Sequence, residues 1–152
     1  MLFGKRERAI RRIVIVEDEP LVAFDNEHLL RDCGYEVVAT VDNLADAVRV
    51  LGEEGPIDLV LSDIKLSGDG DGMDVARAAT AKGVPVLFCT ANCPIEARNV
   101  GIGCLAKPYS GKMLKNALET LDRKLQGHRV KRLPAGLSLY TDESPSVETG
   151  TG

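Results

Sequence analysis

Five side chains with useful chemistry follow four short apolar runs of the chain. They are Glu17 and Asp18, Asp63, Thr90 and Lys107. Carboxylates are ligands for hard divalent cations, and a carboxylate can also attack a phosphoryl group if nearby charges and hydroxyls stabilise the product. Each residue taken alone also fits an ordinary role as a helix cap, a β-former or a solvated charge. All five at the ends of apolar runs favour one shared site.

The elements that would position these residues alternate between strands and helices. Apolar, β-branched runs predict strands at 12–16, 35–41, 57–63, 84–90 and 103–106, and helical spacing with capping signals predicts helices between them and after the last. The helix between the fourth and fifth strands is at most a short one over 94–99. Such alternation is typical of an α/β fold, here a doubly wound, flavodoxin-like (βα)5 parallel sheet of strand order 2-1-3-4-5.

In that strand order the first and third strands are neighbours, so Glu17, Asp18 and Asp63 should meet at one rim of the sheet. Three carboxylates in one crevice repel one another unless one is protonated or a cation compensates. Mg²⁺, held by a few carboxylates and several waters, is the expected compensation. With Thr90 and Lys107, the crevice could bind a phosphoryl group. Asp63 is the expected nucleophile that attacks its phosphorus.

Composition narrows the function classes. The chain has 152 residues and a net charge of -4, which gives no reason to expect nucleic-acid binding. No apolar run approaches the length of a membrane span and the basic N-terminus has no apolar signal core, so we expect no membrane insertion and a cytoplasmic location. The four cysteines, Cys33, Cys89, Cys93 and Cys104, lack metal or disulfide spacing and are expected to be reduced thiols.

The chain divides into a charged extension over 1–11, a domain over 12–127 and a tail over 128–152. We expect the extension to be loose or briefly helical. The apolar residues of 133–140, with Leu137 and Leu139 at alternate positions, predict an extended segment that docks on the domain. The polar end after Thr141 is expected to be mobile.

The combined constellation, with Ala91 after the threonine and Pro108 after the lysine, resembles the receiver domain of two-component response regulators over about 12–126. The resemblance implies that Asp63 is the phosphoacceptor. It implies a Mg²⁺ site formed by Glu17, Asp18, Asp63 and the backbone carbonyl of Lys65. It further implies that Thr90 and Lys107 contact the phosphoryl group and that the peptide bond before Pro108 is cis.

Three features depart from the pattern of the family. Cys104 occupies the position, three before Lys107, where an aromatic switch residue is usual. Only sixteen residues separate Thr90 from Lys107, and the loop after Asp63 has Ser67 where proline is usual, with an extra residue. Together with the run 87–91, these features are similar to the receiver subclass named for a Phe-Ala-Thr-Gly motif, whose partners include HWE-type histidine kinases.

The resemblance therefore implies a stand-alone response regulator, a monomer or weak dimer. It would take phosphate from a histidine kinase, without being an enzyme in its own right, and signal to a protein target or act as a phosphate sink. The alternative is a small Mg²⁺-dependent phosphatase with an aspartate nucleophile. A phosphatase of this kind, the haloacid-dehalogenase type, requires a second aspartate two residues after the nucleophile. Lys65 occupies that position here.

Overall fold

A computed structural model describes residues 7–140, which form one six-stranded sheet in the order β2-β1-β3-β4-β5-β6. The first five strands are parallel and the sixth is antiparallel to β5. The strands are β1 (Arg12–Val16), β2 (Glu36–Val41), β3 (Leu59–Ser62), β4 (Val86–Thr90), β5 (Gly103–Ala106) and β6 (Leu137–Leu139). The predicted order 2-1-3-4-5 is confirmed, and β6 extends it by one strand.

Four α-helices connect or follow the parallel strands: α1 (Pro20–Asp32), α2 (Leu44–Glu53), α3 (Gly72–Ala81) and α4 (Gly111–Leu125). Short polar side chains fix three of their starts, since Asn43, Asp71 and Ser110 each accept hydrogen bonds from backbone N–H groups of the first turn. Between β4 and β5 lies only a 3₁₀ helix, Ile95–Asn99. The expected short or irregular helix at this place is confirmed.

Both faces of the sheet are buried, which explains the continuous apolar runs of its central strands. One face packs against α1 and α4 through side chains such as Ile15, Leu61 and Leu118. The opposite face packs against α2, α3 and the 3₁₀ helix through Val14, Phe88 and others. The alternation of side chains along each strand sends neighbouring residues to opposite cores.

The chain just before β1 is docked, so the expectation of a loose or helical extension is wrong for this part of it. Ile10 is fully buried, and the carboxylate of Asp122 on α4 accepts hydrogen bonds from the N–H groups of Ala9 (3.2 Å) and Ile10 (2.9 Å). These bonds satisfy a buried carboxylate and the backbone together. Residues 1–6 lie outside the described part of the chain.

The tail segment also docks, as predicted, in an extended conformation. Leu137 pairs with Leu105 of β5 and is buried, and the N–H of Tyr140 donates to the carbonyl of Ile102 at 2.9 Å. Leu133, by contrast, remains 44% exposed and contributes little. The polar end after Thr141 lies outside the described residues.

The cysteines depart from expectation. Cys93, just after β4, and Cys104, in β5, form a disulfide, so the prediction of four reduced thiols is wrong for this pair. Cys33 and Cys89 are free. The spacing of eleven residues gives no hint of the pairing, which arises because β4 and β5 are adjacent in the sheet. Among residues 7–140, no helix combines the length and apolar character needed to cross a bilayer.

Candidate functional site

Three carboxylates meet where β1 and β3 end. Val16 lies beside Ser62 in the parallel register, so Glu17 and Asp63, the next residue of each strand, emerge side by side. One oxygen from each of Glu17, Asp18 and Asp63 lies within 4.8 Å of the others. Glu17 and Asp63 are buried and Asp18 is half-buried. The strand order therefore produces the carboxylate cluster that the sequence predicts.

The ammonium of Lys107, which follows β5, reaches across to this cluster. Its Nζ lies 2.7 Å from Oδ2 of Asp63, 3.1 Å from Oε1 of Glu17 and 3.0 Å from Oε1 of Glu19. Glu19 was missed as a site residue by the sequence reasoning, although it lies in the same acidic run as Glu17 and Asp18. Lys107 thus compensates part of the negative charge that the strand ends bring together.

Burial and ion pairing in the site shift the pKa values of Glu17 and Lys107. Burial raises the pKa of Glu17, although hydrogen bonds from the N–H of Glu19 and from Lys107 oppose the shift. Burial alone would lower the pKa of Lys107, but hydrogen bonds to Asp63, Glu19 and Glu17 outweigh it and raise that pKa. Lys107 therefore stays protonated at neutral pH and carries a fixed positive charge beside Asp63.

The carboxylate of Asp63 is held at both oxygens. Its Oδ1 accepts a hydrogen bond from the N–H of Ile64 at 2.6 Å, and its Oδ2 faces Lys107. Gly72, the first residue of α3, lies against the backbone of Asp63, and a Cβ there would overlap the Asp63 carbonyl oxygen and lie 2.7 Å from the Cα of Ile64. Sequence reasoning missed this contact, because only the close approach of α3 to β3 gives Gly72 a role.

Thr90 and Lys107 lie at the ends of adjacent strands, as predicted. Thr90 pairs with Ala106, and the N–H of Lys107 donates to the carbonyl of Thr90 at 2.9 Å. Thr90 is buried. The peptide bond between Lys107 and Pro108 is cis, as the family resemblance implies.

The loop that follows Asp63 is fixed at two points. The N–H of Ser67 donates to the carbonyl of Asp42 at 3.1 Å, and the side chain of Asp71 caps α3 together with Asp74. Lys65 lies in this loop with an exposed side chain, so its side chain is not part of the carboxylate cluster. A contribution of its backbone carbonyl remains a prediction.

Comparison with known proteins identifies the family. A family model for the response regulator receiver domain matches residues 13–119, which include all of the clustered carboxylates, Thr90 and Lys107. The chain belongs to the receiver domain family. Receiver domains are phosphoacceptor signalling domains that bind Mg²⁺ in an acidic pocket and interact with histidine kinases and downstream effectors. This chain has an acidic cluster in Glu17, Asp18 and Asp63.

Two regulators are among the relatives of this receiver domain. It is 35% identical over 115 residues to the transcriptional regulatory protein PdtaR of Mycobacterium tuberculosis, covering 72% of this chain and 55% of the relative. It is 36% identical over 80 residues to the phyllosphere-induced regulator PhyR of Methylorubrum extorquens, covering 52% of this chain and 30% of the relative. The chain therefore aligns with less than two thirds of the length of either protein.

Among solved structures, the receiver domain is similar to that of the sensor histidine kinase PA1611 of Pseudomonas aeruginosa. The TM-score is 0.62 and the identity 30%, over 72% of this chain and 95% of the other. That structure contains a magnesium ion coordinated in the active-site cleft.

Proposed function

We propose that Asp63 accepts a phosphoryl group from a phosphohistidine of a histidine kinase, in a reaction that requires Mg²⁺ held at the carboxylate cluster. The observation that carries the proposal is the clustering of Glu17, Asp18 and Asp63, with the ammonium of Lys107 lying 2.7 Å from the expected nucleophile. The magnesium ion in the cleft of the related PA1611 receiver domain supports it.

The donor set fits a hard divalent cation. Three carboxylates lie close together, and burial raises the pKa of one of them, Glu17, because its charge is poorly solvated. A bound cation would stabilise that charge. Glu17, Asp18, Asp63 and the backbone carbonyl of Lys65 would hold the ion. When bound, Mg²⁺ would neutralise the carboxylates and the oxygens of the phosphoryl group.

The residues of the chain orient the transfer. One carboxylate oxygen of Asp63 forms the new P–O bond while the P–N bond of the phosphohistidine breaks, and its electron pair returns to the imidazole nitrogen. The N–H of Ile64 fixes the carboxylate in place, at 2.6 Å from Oδ1. Lys107 remains protonated and pairs with the phosphoryl oxygens, and the hydroxyl of Thr90 donates to one of them. The acyl phosphate then carries the signal.

The wider role is that of a signalling module of the cytoplasm. We assign it a histidine kinase, of the HWE type or a related one, as phosphate donor. A downstream protein that distinguishes the two states would be its target, unless the domain serves as a phosphate sink. The chain would act as a monomer or weak dimer.

Phosphorylation by acetyl phosphate tests the proposal. Wild-type protein incubated with acetyl phosphate and Mg²⁺ should gain the mass of one phosphoryl group on Asp63, and chelation of Mg²⁺ should abolish the gain. The substitution Asp63→Asn keeps the shape and removes the nucleophile, so labelling should fall by about a hundredfold or more. Asp69→Asn, in the exposed loop that follows Asp63, is the matched control and should label as wild type does.

Labelling of Asp63→Asn at the wild-type rate would contradict the assignment of the nucleophile. Repeated turnover of a generic phosphomonoester such as p-nitrophenyl phosphate, dependent on Asp63 and Mg²⁺, would instead support the Mg²⁺-dependent phosphatase. We expect a single phosphorylation of each chain and slow hydrolysis.

A further inference from the structure

The segment between β4 and β5, residues 91–102, is fastened to the sheet by a covalent bond. The disulfide joins Cys93, three residues after Thr90, to Cys104, three residues before Lys107, with their Cα atoms 6.4 Å apart. Both bridged cysteines thus lie close in sequence to residues that would contact the phosphoryl group. The disulfide therefore closes a covalent loop around the 91–102 segment, between two positions that flank the site.

Few other contacts hold the 91–102 segment in place. Of the residues in its 3₁₀ helix only Ala97 is buried, and Ile95 is 79% exposed. The hydroxyl of Thr80 on α3 donates to the carbonyl of Val100 at 3.0 Å. At the end of the segment, the N–H of Ile102 donates to the carbonyl of Val86 and its carbonyl accepts from the N–H of Tyr140. A segment with so few buried contacts is among the first parts of a protein to open locally. Its order therefore depends strongly on the disulfide.

The two bridged residues differ in exposure. Cys104 is 1% exposed and lies between Phe88 of β4 and Ser138 of β6, whereas Cys93 is exposed in the loop. A thiol from solution can therefore attack the sulfur of Cys93 without unfolding β5. Disulfides of reducing compartments are usually transient and regulatory, and accessible ones are the labile ones.

We propose that Cys93 and Cys104 form a reversible redox site that controls the order of the 91–102 segment. In reduction, a thiolate of a dithiol attacks the sulfur of Cys93, the Cys93–Cys104 bond breaks, and Cys104 leaves as a thiolate that takes up a proton. The second thiol of the reductant then releases Cys93 as a thiol. The chain gains two electrons and two protons, and the dithiol becomes a disulfide. Oxidation by a low-molecular-weight disulfide such as oxidised glutathione reverses the exchange and yields two small thiols.

The redox state also regulates the phosphorylation site, a step that rests on the proposed function. Only Ala91 and Asn92 separate Thr90 from the bridged Cys93. In the oxidised chain this short connection restrains any movement of Thr90 towards a phosphoryl group on Asp63. In the reduced chain Thr90 and the segment move together, so phosphorylation changes the order of 91–102 more strongly.

Hydrogen exchange of the full chain in two redox states is the test. One portion of protein equilibrated with oxidised glutathione or with dithiothreitol is alkylated in denaturant, which exposes the buried Cys104 for thiol mapping. A parallel portion is exchanged in heavy water in the folded state. We expect Cys93 and Cys104 to be protected from alkylation in the oxidised sample alone. We expect the amides of 92–102 to exchange about tenfold faster in the reduced one. Beryllofluoride, an analogue of the phosphoryl group, should then change exchange of 92–102 at least about threefold more in the reduced chain.

Two variants make the result specific. Cys93→Ser, at an exposed position, should behave as reduced protein in both samples, whereas Cys33→Ser, which removes a free thiol, should keep the full response. Alkylation of Cys93 and Cys104 in the oxidised sample, or equal exchange of 92–102 in both samples, would overturn the redox site. Failure of Asp63 to take up phosphate in either state would contradict only the proposed function, because thiol mapping and exchange without beryllofluoride do not depend on it.

Discussion

The two sides of the site are built differently. On the acidic side, β1 and β3 lie in the middle of the sheet, paired on both edges, and the backbone of Asp63 is wedged between Val16 and Gly72. On the other side, Thr90 and Lys107 end strands that are joined by the weakly packed 91–102 segment and bordered by the three-residue strand β6. The comparison teaches that packed backbone holds the nucleophile, while the residues expected to sense its charge are attached to a segment that has few buried contacts and is held by a disulfide.

On the acidic side, the close contact of Gly72 with the backbone of Asp63 gives the largest predicted effect. Gly72→Ala should lower the free energy of unfolding by about 3 kcal/mol or more, because the new Cβ meets backbone atoms that cannot move aside. Urea denaturation measures the loss. Gly52→Ala, in α2 with nothing near its Cβ, is the control and should raise stability by about 0.5–1 kcal/mol. Equal stability of Gly72→Ala and wild type would show that α3 can shift away from Asp63, so that the acidic side is not rigid.

On the other side, the docking of β6 can be tested by a matched pair of leucines. Leu137→Ala removes a side chain that is 6% exposed and should lower stability by about 1–3 kcal/mol, and local undocking of the short strand limits the loss. Leu133→Ala, at a position 44% exposed, should change stability by less than about 0.5 kcal/mol. Identical unfolding curves for both variants would mean that β6 adds nothing to the edge of the sheet.

Charge crowding on the acidic side predicts that removing one carboxylate raises stability, by less than the losses above. Within residues 7–140 the ion pairs of Lys107 are with Glu17, Glu19 and Asp63, so Asp18 adds charge to the cluster without its own pair. Asp18→Asn should therefore raise the free energy of unfolding of the metal-free protein by roughly 1 kcal/mol, which is measured as a higher melting temperature. The same substitution should weaken the further increase in melting temperature caused by Mg²⁺. Asp25→Asn, exposed on α1, makes the same change in net charge and should do neither. A lower melting temperature for metal-free Asp18→Asn would contradict the repulsion.

The smallest predicted effect is a pH dependence that comes from Glu17. Because burial raises the pKa of Glu17 in the folded protein above its ordinary value of 4.5, the folded state binds this proton more readily than the unfolded one. Glu17 should therefore make metal-free stability fall as the pH rises from 4.5 through the folded-state pKa. The difference between wild type and Glu17→Gln across this range isolates the contribution. Glu53→Gln at the exposed end of α2 should leave the slope unchanged, and a slope of opposite sign would mean that the bond from Lys107 dominates.

The sequence predicts the acidic side of the site almost completely and the other side only in part. Strand-end positions suffice to bring Glu17, Asp18 and Asp63 together, because parallel strands place their carboxyl ends on one rim. The contact of Gly72 and the ion pair of Glu19 depend on the packing of α3 and the reach of Lys107, which no local pattern encodes.

The features of the other side escaped prediction for related reasons. The disulfide depends on how the 91–102 segment crosses between two adjacent strands, and sequence spacing does not give that distance. Strand β6 has only three residues, so alternation indicated an extended segment but not its place beside β5. Away from the site, the docking of Ile10 before β1 was missed because its partner on α4, Asp122, is more than a hundred residues away.

Strand β6 also has a consequence for encounters between molecules. An open strand edge attracts strands of other chains, and β6 occupies the outer edge of β5 through the pairs from Gly103 to Leu105. Since β6 belongs to the same chain, it competes for that edge at an effective concentration of about millimolar. A second copy, or a partner that binds by adding a strand, must exceed this local competitor before it reaches β5. At micromolar protein concentrations, weak and unspecific strand pairing from another molecule therefore does not displace β6 from β5.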